Sequence, residues 1–172
     1  MKIFTLALTL ILSSCVQAKE LPTAKKVDVS RFVGKWYAHD SLPQFFTRKC
    51  KAQTAEYEVI DEKTISVLNT CLKPKGNKTI EGQAVVTNPG DNSKLIVTFD
   101  NFFTRLFRVK GDYNILKIDD NYEHVLVGSN NLKSLWLMSR SELPWTKVMR
   151  DEYLNYAKSL GFNTDKLIKS QF

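Results

Sequence analysis

The sequence predicts an all-β protein, an eight-stranded antiparallel up-and-down barrel with one C-terminal α-helix packed outside it. Three observations carry this expectation. Short runs of β-branched and aromatic residues recur between turn signals. Several runs alternate apolar and polar residues with period two, the mark of a strand with one buried face. After the last run comes one apolar stripe at helical spacing.

The chain has 172 residues, which fits one domain. Its first residues stand apart. Met1-Lys2 is a short positive segment, and residues 3–12 form an apolar run broken only by Thr5 and Thr9. That run is too short to span a bilayer, which takes about 20 residues as a helix. It reads as a signal peptide. Two cleavage readings stand. Leu12-Ser13-Ser14-Cys15 has the form of a bacterial lipobox, which ends the signal at residue 14 and makes Cys15 the lipidated first residue. Val16-Gln17-Ala18 has the small-x-small form, which ends it at residue 18 and releases a soluble protein. Residues 19–26 are polar and contain Pro22, and 15–26 read as a tether; residues 27–172 read as the domain.

The strand runs are residues 36–40, 52–60, 64–72, 79–87, 94–99, 113–118, 122–128 and 134–140. Between them stand Asp61-Glu62-Lys63, Lys73-Pro74-Lys75-Gly76-Asn77, Asn88-Pro89-Gly90-Asp91-Asn92, Asp119-Asp120-Asn121 and Ser129-Asn130-Asn131. Pro and Gly preset turn dihedrals, and Asn and Asp bond their own backbone. Ala55, Tyr57 and Val59 share one face; Thr54, Glu56 and Glu58 share the other. Leu95, Val97 and Phe99 likewise oppose Lys94, Ile96 and Thr98. Closure into a barrel removes the edge strands that invite aggregation. Leu135-Trp136-Leu137-Met138 is apolar on both faces, so something must cover the barrel there. The cover follows: Thr146 can cap a helix over about residues 147–160, and Gly161 can end it. Met149, Tyr153, Tyr156, Ala157 and Leu160 form its stripe.

Two connections are longer than turns. Residues 41–49 contain Phe45 and Phe46; residues 100–111 contain Phe102, Phe103, Leu106 and Phe107. Apolar loop residues are costly unless they cover something. They either flank an open mouth and touch ligand or membrane, or fold back onto the wall.

The formal net charge is +7, but the basic residues are scattered rather than gathered in a run. A nucleic-acid-binding barrel would interleave aromatic and basic residues on one strand face, and no strand does so. Of the three cysteines, Cys50 and Cys71 can pair in the oxidising compartment of an exported protein, or remain two free thiols. Cys15 is then the odd one, which fits the lipobox. The two histidines, His39 and His124, lie far apart, and no metal spacing, phosphate loop or nucleophile elbow is present. No catalytic residue, metal or cofactor is expected, and no nucleic acid partner.

Phe32-Val33-Gly34-Lys35-Trp36-Tyr37 resembles the first signature of the lipocalin family, Gly-x-Trp at the start of the first strand. Asp119-Asp120-Asn121-Tyr122 resembles the second, and Leu135-Trp136-Leu137-Met138-Ser139-Arg140 the third. The match is nearer to the bacterial outer-membrane lipocalins and apolipoprotein D, through Thr54-Ala55-Glu56-Tyr57, Ile65-Ser66-Val67-Leu68-Asn69 and Gly111-Asp112-Tyr113. The resemblance implies that Trp36 plugs a closed end, that Arg140 lies across it, and that Gly34 lets the backbone pass close by. It implies a binding protein rather than an enzyme, holding a fatty acid or lysophospholipid for storage, transport or membrane maintenance. Strand parity and family position suggest Tyr57, Val67, Val97, Phe99 and Met138 for the cavity wall, with Phe45 and Phe103 at the mouth. The implied location is the outer membrane, facing the periplasm on a lipid anchor at Cys15, with a homodimer as one option; the other cleavage gives a soluble periplasmic or secreted protein. The alternatives are a thiol-dependent lipocalin enzyme using Cys71 and a carrier of another small hydrophobic ligand. Two segments depart from the family: the long connection 100–111, and Ala38-His39-Asp40, which is expected to put a carboxylate near the cavity.

Overall fold

Each strand-like run forms a strand. The computed structural model describes residues 20–47, 49–100 and 110–172; Cys15, Phe103 and most of the connection 100–111 lie outside the described residues. The strands are β1 (Gly34–Ser41), β2 (Ala52–Val59), β3 (Thr64–Leu72), β4 (Lys78–Val86), β5 (Lys94–Phe99), β6 (Lys110–Ile118), β7 (His124–Gly128) and β8 (Leu135–Ser139). Each pairs antiparallel with its neighbours in sequence, and β1 pairs with both β2 and β8, so the sheet closes on itself.

The turn chemistry works as expected. Asp61 accepts from the Lys63 amide at 2.8 Å in the β2–β3 hairpin. Asn88 accepts from the Ser93 and Lys94 amides, at 3.1 and 2.7 Å, to close β4–β5. Asp119 takes the Glu123 and His124 amides, at 2.8 and 2.9 Å, in β6–β7.

Two elements escape the sequence patterns. A single helical turn, α1 (Val29–Phe32), precedes β1 and is capped by Asp28, which accepts from the Ser30 amide. A short β9 (Ile168–Lys169) pairs with β1 at Asp40 and Ser41. Neither is long enough to show a period.

The wall carries apolar residues on both sides. The inner cluster contains Trp36, Tyr57, Ile65, Val67, Val97, Ile115, Val125 and Met138. The outer cluster contains Leu116, Leu126, Leu135, Leu137, Tyr153, Ala157 and Phe162. Alternate residues of β8 thus feed both clusters, which explains its unbroken apolar run. The outer cover is the helix α2 (Lys147–Ser159), whose cap Thr146 accepts from the Met149 amide at 3.3 Å. Gly161 ends it with φ +100°. Phe162 then packs against the bare backbone of Gly128, where a Cβ would stand 2.6 Å from its ring.

Two expectations need correction. Asp40 does not approach the cavity. Between Ala38 and Asp40 the β1–β8 register shifts, so Asp40 falls opposite the outward Leu137. Its carboxylate is buried under α2 and accepts from Arg150 Nε at 2.9 Å and Nη2 at 2.6 Å. Nor is all of 15–26 a tether: residues 20–26 pack on the barrel. The Ala24 amide donates to the Ile115 carbonyl at 2.8 Å, Ser93 Oγ donates to Thr23 Oγ1 at 2.9 Å, and Leu21 is buried.

The Asp40–Arg150 pair is bidentate and its carboxylate is shut away from water, so breaking one partner strands a charge. Arg150→Ala should cost about 3 kcal/mol in urea denaturation, and adding Asp40→Ala should recover part of that loss.

Candidate functional site

One end of the barrel is shut by a cation–π lid. Trp36 is fully buried, and its indole N–H donates to the Phe32 carbonyl at 2.8 Å. The Arg140 guanidinium lies 3.8 Å from the Trp36 ring centroid. Such a contact contributes about 1–2 kcal/mol when partly desolvated. Arg140 also donates to four backbone carbonyls: Lys35 at 3.0 Å, Arg31 at 2.6 Å, Phe32 at 3.1 Å and Tyr122 at 3.2 Å. One side chain therefore joins α1, the start of β1 and the β6–β7 loop. Gly34 permits it: its φ is +96°, and a Cβ there would stand 3.2 Å from Arg140 Nη1. On the outside, Arg31 stacks 4.2 Å above the Tyr122 ring and donates to the Asp120 carbonyl at 2.8 Å.

Above the lid the barrel has a floor. The Tyr57 and Tyr113 hydroxyls meet at 2.8 Å. Tyr57 is on β2 and Tyr113 on β6, four strands apart in a ring of eight, so they reach from opposite walls. Burial pushes the Tyr57 phenol up to about 12 and raises Tyr113 as well, so both stay neutral at physiological pH. Phe32 stacks on Tyr57 from below, with ring centroids 5.4 Å apart.

The expected wall residues divide by depth. Tyr57, Val67, Val97 and Met138 face inward but are packed in the same cluster as Trp36. They form the floor and lower wall. Phe99 faces inward as a partly buried neighbour of that cluster. Directly opposed residues of paired strands share a face. Register therefore places Trp136 opposite the inward Val127, Asn69 opposite the inward Ala55, and Gln53 opposite Cys71. Gln53 Nε2 donates to Ser41 Oγ at 3.1 Å. Trp136, Gln53 and Asn69 are absent from the wall residues expected from sequence, though each shares parity with one on its own strand; Tyr113 is absent too, on a strand for which the sequence suggests no wall residue.

Cys50 and Cys71 form a disulfide, which fastens the β1–β2 loop to the end of β3. Phe45 stands on that loop, 85% exposed. His39 and His124 lie on the outer surface beside Trp145, with ring centroids 6.4 and 4.6 Å from it. Burial lowers the His39 imidazole, whose Nε2 lies 2.8 Å from both Ser139 Oγ and the Ser141 carbonyl. Among the described residues no group of His, Cys, Asp or Glu could hold a metal ion.

A plugged calyx with an Arg over a Trp matches known proteins in sequence as well as shape. Residues 27–171 match the family model described as a lipocalin-like domain. This chain belongs to the lipocalin family. Among lipocalins it is 31% identical over 173 residues to the outer membrane lipoprotein Blc of Vibrio cholerae, covering 98% of this chain and 97% of that one. It is 32% identical over 157 residues to temperature-induced lipocalin-1 of Arabidopsis thaliana, covering 90% and 84%. The solved structure of insecticyanin from the tobacco hornworm shares the lipocalin fold at TM-score 0.70 and 20% identity, over 90% of this chain and 85% of that one.

Two outcomes follow from this geometry. Gly34→Ala must force a side chain into a positive-φ position against Arg140 and should cost about 2 kcal/mol by chemical denaturation; Arg140→Lys, which cannot span four carbonyls, should cost at least as much. Tyr57 gives an alkaline signature. An unfolded phenol ionises near 10, while the folded one holds its proton to about 12. The unfolded state then binds fewer protons, so stability should fall as pH rises through that window, and Tyr57→Phe should flatten the fall.

Proposed function

We propose that this lipocalin reversibly binds a single-chain lipid, a fatty acid or lysophospholipid, in the mouth-side half of its barrel. The observation that carries the reading is the neutral Tyr57–Tyr113 floor, set below an inward Phe99 and Trp136. A chain entering from the mouth would lie against Phe99 and Trp136, with Val67, Val97 and Met138 below them and Phe45 at the rim; Phe103, expected beside it, lies outside the described residues. Each buried methylene contributes about 0.8 kcal/mol, so an acyl chain gains several kcal/mol before the cost of ordering it. The protein acts by binding, without a catalytic residue. The Cys50–Cys71 bridge leaves Cys71 no thiol for the enzyme alternative.

The relatives named outer membrane lipoprotein Blc support a place at that membrane, where bound lipid would serve its maintenance. We place the chain there, facing the periplasm, anchored by an acylated Cys15 after removal of residues 1–14.

Native mass spectrometry of the protein extracted from its own membrane tests the ligand. Co-purified lysophospholipid or fatty acid is expected, with a Phe99→Asp variant losing at least about tenfold in affinity while keeping its far-ultraviolet spectrum. A barrel that takes up neither lipid in titration would reject the reading.

A further inference from the structure

We propose that the mouth face docks onto an anionic lipid bilayer, with Phe45 and Phe46 entering the interface and the rim lysines meeting the headgroups. Phe45 and Phe46 are adjacent and 85% and 65% exposed. Their loop is tied at both sides. Gln44 Nε2 donates to the Lys133 carbonyl of the β7–β8 loop at 2.7 Å, and the Cys50–Cys71 bridge holds the other side to β3. The two rings are thus presented from a fixed base at the barrel's rim.

The charge around them is one-sided. The β1–β2 loop carries Lys49 and Lys51, and the β3–β4 connection Lys73, Lys75 and Lys78. Lys110 and Lys133 extend the rim. Two of the seven, Lys78 and Lys110, are the first residues of β4 and β6; against the seven stand Asp100 in the described mouth loops and Asp112 two residues into β6. None of the seven joins an ion pair among the described residues, whereas Lys25, Lys35, Lys94 and Lys117 elsewhere each have a carboxylate partner. The hairpin loops of the closed end carry Asp61, Glu62, Asp91, Asp119, Asp120 and Glu123 with Lys63, and Lys25, Lys26, Arg31, Lys35 and Arg140 stand beside them, so acids and bases are mixed there. An anionic membrane surface attracts the mouth end more than this mixed end. Aromatic rings on a convex tip rimmed by cations fit an interfacial anchor. A nucleic-acid site would need aromatics laid along a basic groove.

The N-terminal segment limits how far the barrel can stand from the bilayer. Val27 bonds the Asp91 carbonyl at the closed end, and Ala24 bonds Ile115, halfway along β6. Leu21 is buried in the same cluster as Leu42 and Leu135, which stand at the mouth ends of β1 and β8. Glu20 pairs with Lys94, the first residue of β5, at 2.6 Å, so residues 20–27 lie along the outside of the wall. Cys15 is five residues before Glu20. An extended chain of that length reaches at most about 17 Å. If Cys15 is acylated, as the proposed function holds, its anchor keeps the barrel close to the bilayer. Docking then lets an acyl chain pass between bilayer and barrel without crossing water.

The test is co-sedimentation of the full chain carrying Cys15→Ser, so that no acyl anchor contributes, with vesicles of phosphatidylcholine alone or mixed with phosphatidylglycerol. Binding is expected only to the mixed vesicles, falling several-fold as ionic strength rises from about 0.05 to about 0.3 M. Phe45→Ser with Phe46→Ser, and separately Lys73→Glu with Lys75→Glu, should each lower partitioning at least about tenfold. Lys158→Glu with Lys166→Glu, on the α2 side, should change nothing. Equal binding to neutral vesicles, equal loss in the α2-side variant, or displacement by an oligonucleotide would overturn the proposal. So would a mouth-dependent dimer that ignores vesicles. Lysophospholipid titration of the same variants in solution separates the two readings. Uptake that survives when vesicle binding is lost supports docking as a distinct property; vesicle binding with no uptake defeats the proposed function and leaves the docking intact.

Discussion

The contact between Arg140 and Trp36 organises the closed end, and much else follows from what it asks of the chain. The guanidinium covers the indole and satisfies carbonyls from α1, β1 and the β6–β7 loop together. Those carbonyls would otherwise be left at a helix end and a strand start, where the backbone lacks regular partners. Burial lowers the guanidinium's proton affinity, yet the group remains a cation, so its hydrogen bonds are charge-assisted. Gly34 is the condition for this approach. With the end sealed, Phe32 stacks on Tyr57 and tilts against Trp36, which gives the closed end an aromatic base.

The second constraint is that one wall has to be buried twice. Strands β7 and β8 present Val125, Val127 and Met138 inward while Leu126, Leu135 and Leu137 meet the outer cluster. The helix α2 covers them, and Arg150 on that helix fixes its position through Asp40. The shift between Ala38 and Asp40 makes the pair possible, because it turns an inward strand outward within one residue. The same end of β1 then accepts β9. The wall beside β1 is therefore fastened by hydrogen bonds on both edges and by an ion pair on its outer face.

Most of this architecture could be read from residue order. Period two identified the inward faces of β2, β3 and β5, and Asn, Asp, Gly and Pro marked the hairpins. The closed-end trio of Gly34, Trp36 and Arg140 was legible through a resemblance. Parity has limits, and they are physical. It sorts inside from outside but says nothing of depth, so it does not reveal that Val97 and Met138 belong to the same packed cluster as Trp36. It fails across a bulge, which is why Asp40 was assigned to the wrong side. It does not say which strands face one another across a barrel, so the Tyr57–Tyr113 contact was invisible until the strand order was known. Segments of a few residues, such as α1 and β9, have no period to detect. The packing of residues 20–26 rests on isolated contacts of Leu21, Thr23 and Ala24 rather than on any pattern.

The inside of the barrel changes character along its axis, and the change bears on the proposed ligand. At the base the lining is aromatic and aliphatic and closely packed. The floor is polar in its atoms but uncharged, because burial opposes ionisation of both phenols. One hydroxyl donates to the other, which leaves a single O–H to donate elsewhere, and the pair carries no charge to repel an apolar tail. Nearer the mouth, Gln53 and Ser41 hydrogen-bond to one another and Asn69 shares their inward parity. An amphiphile matches that gradient in one orientation, tail toward the tyrosines and polar end toward the amides and the lysine rim. A ligand apolar at both ends would leave those amides facing hydrocarbon. A ligand charged at its leading end would have to place that charge in the dry base, where no counter-charge reaches it, since Arg140 is held on the far side of Trp36.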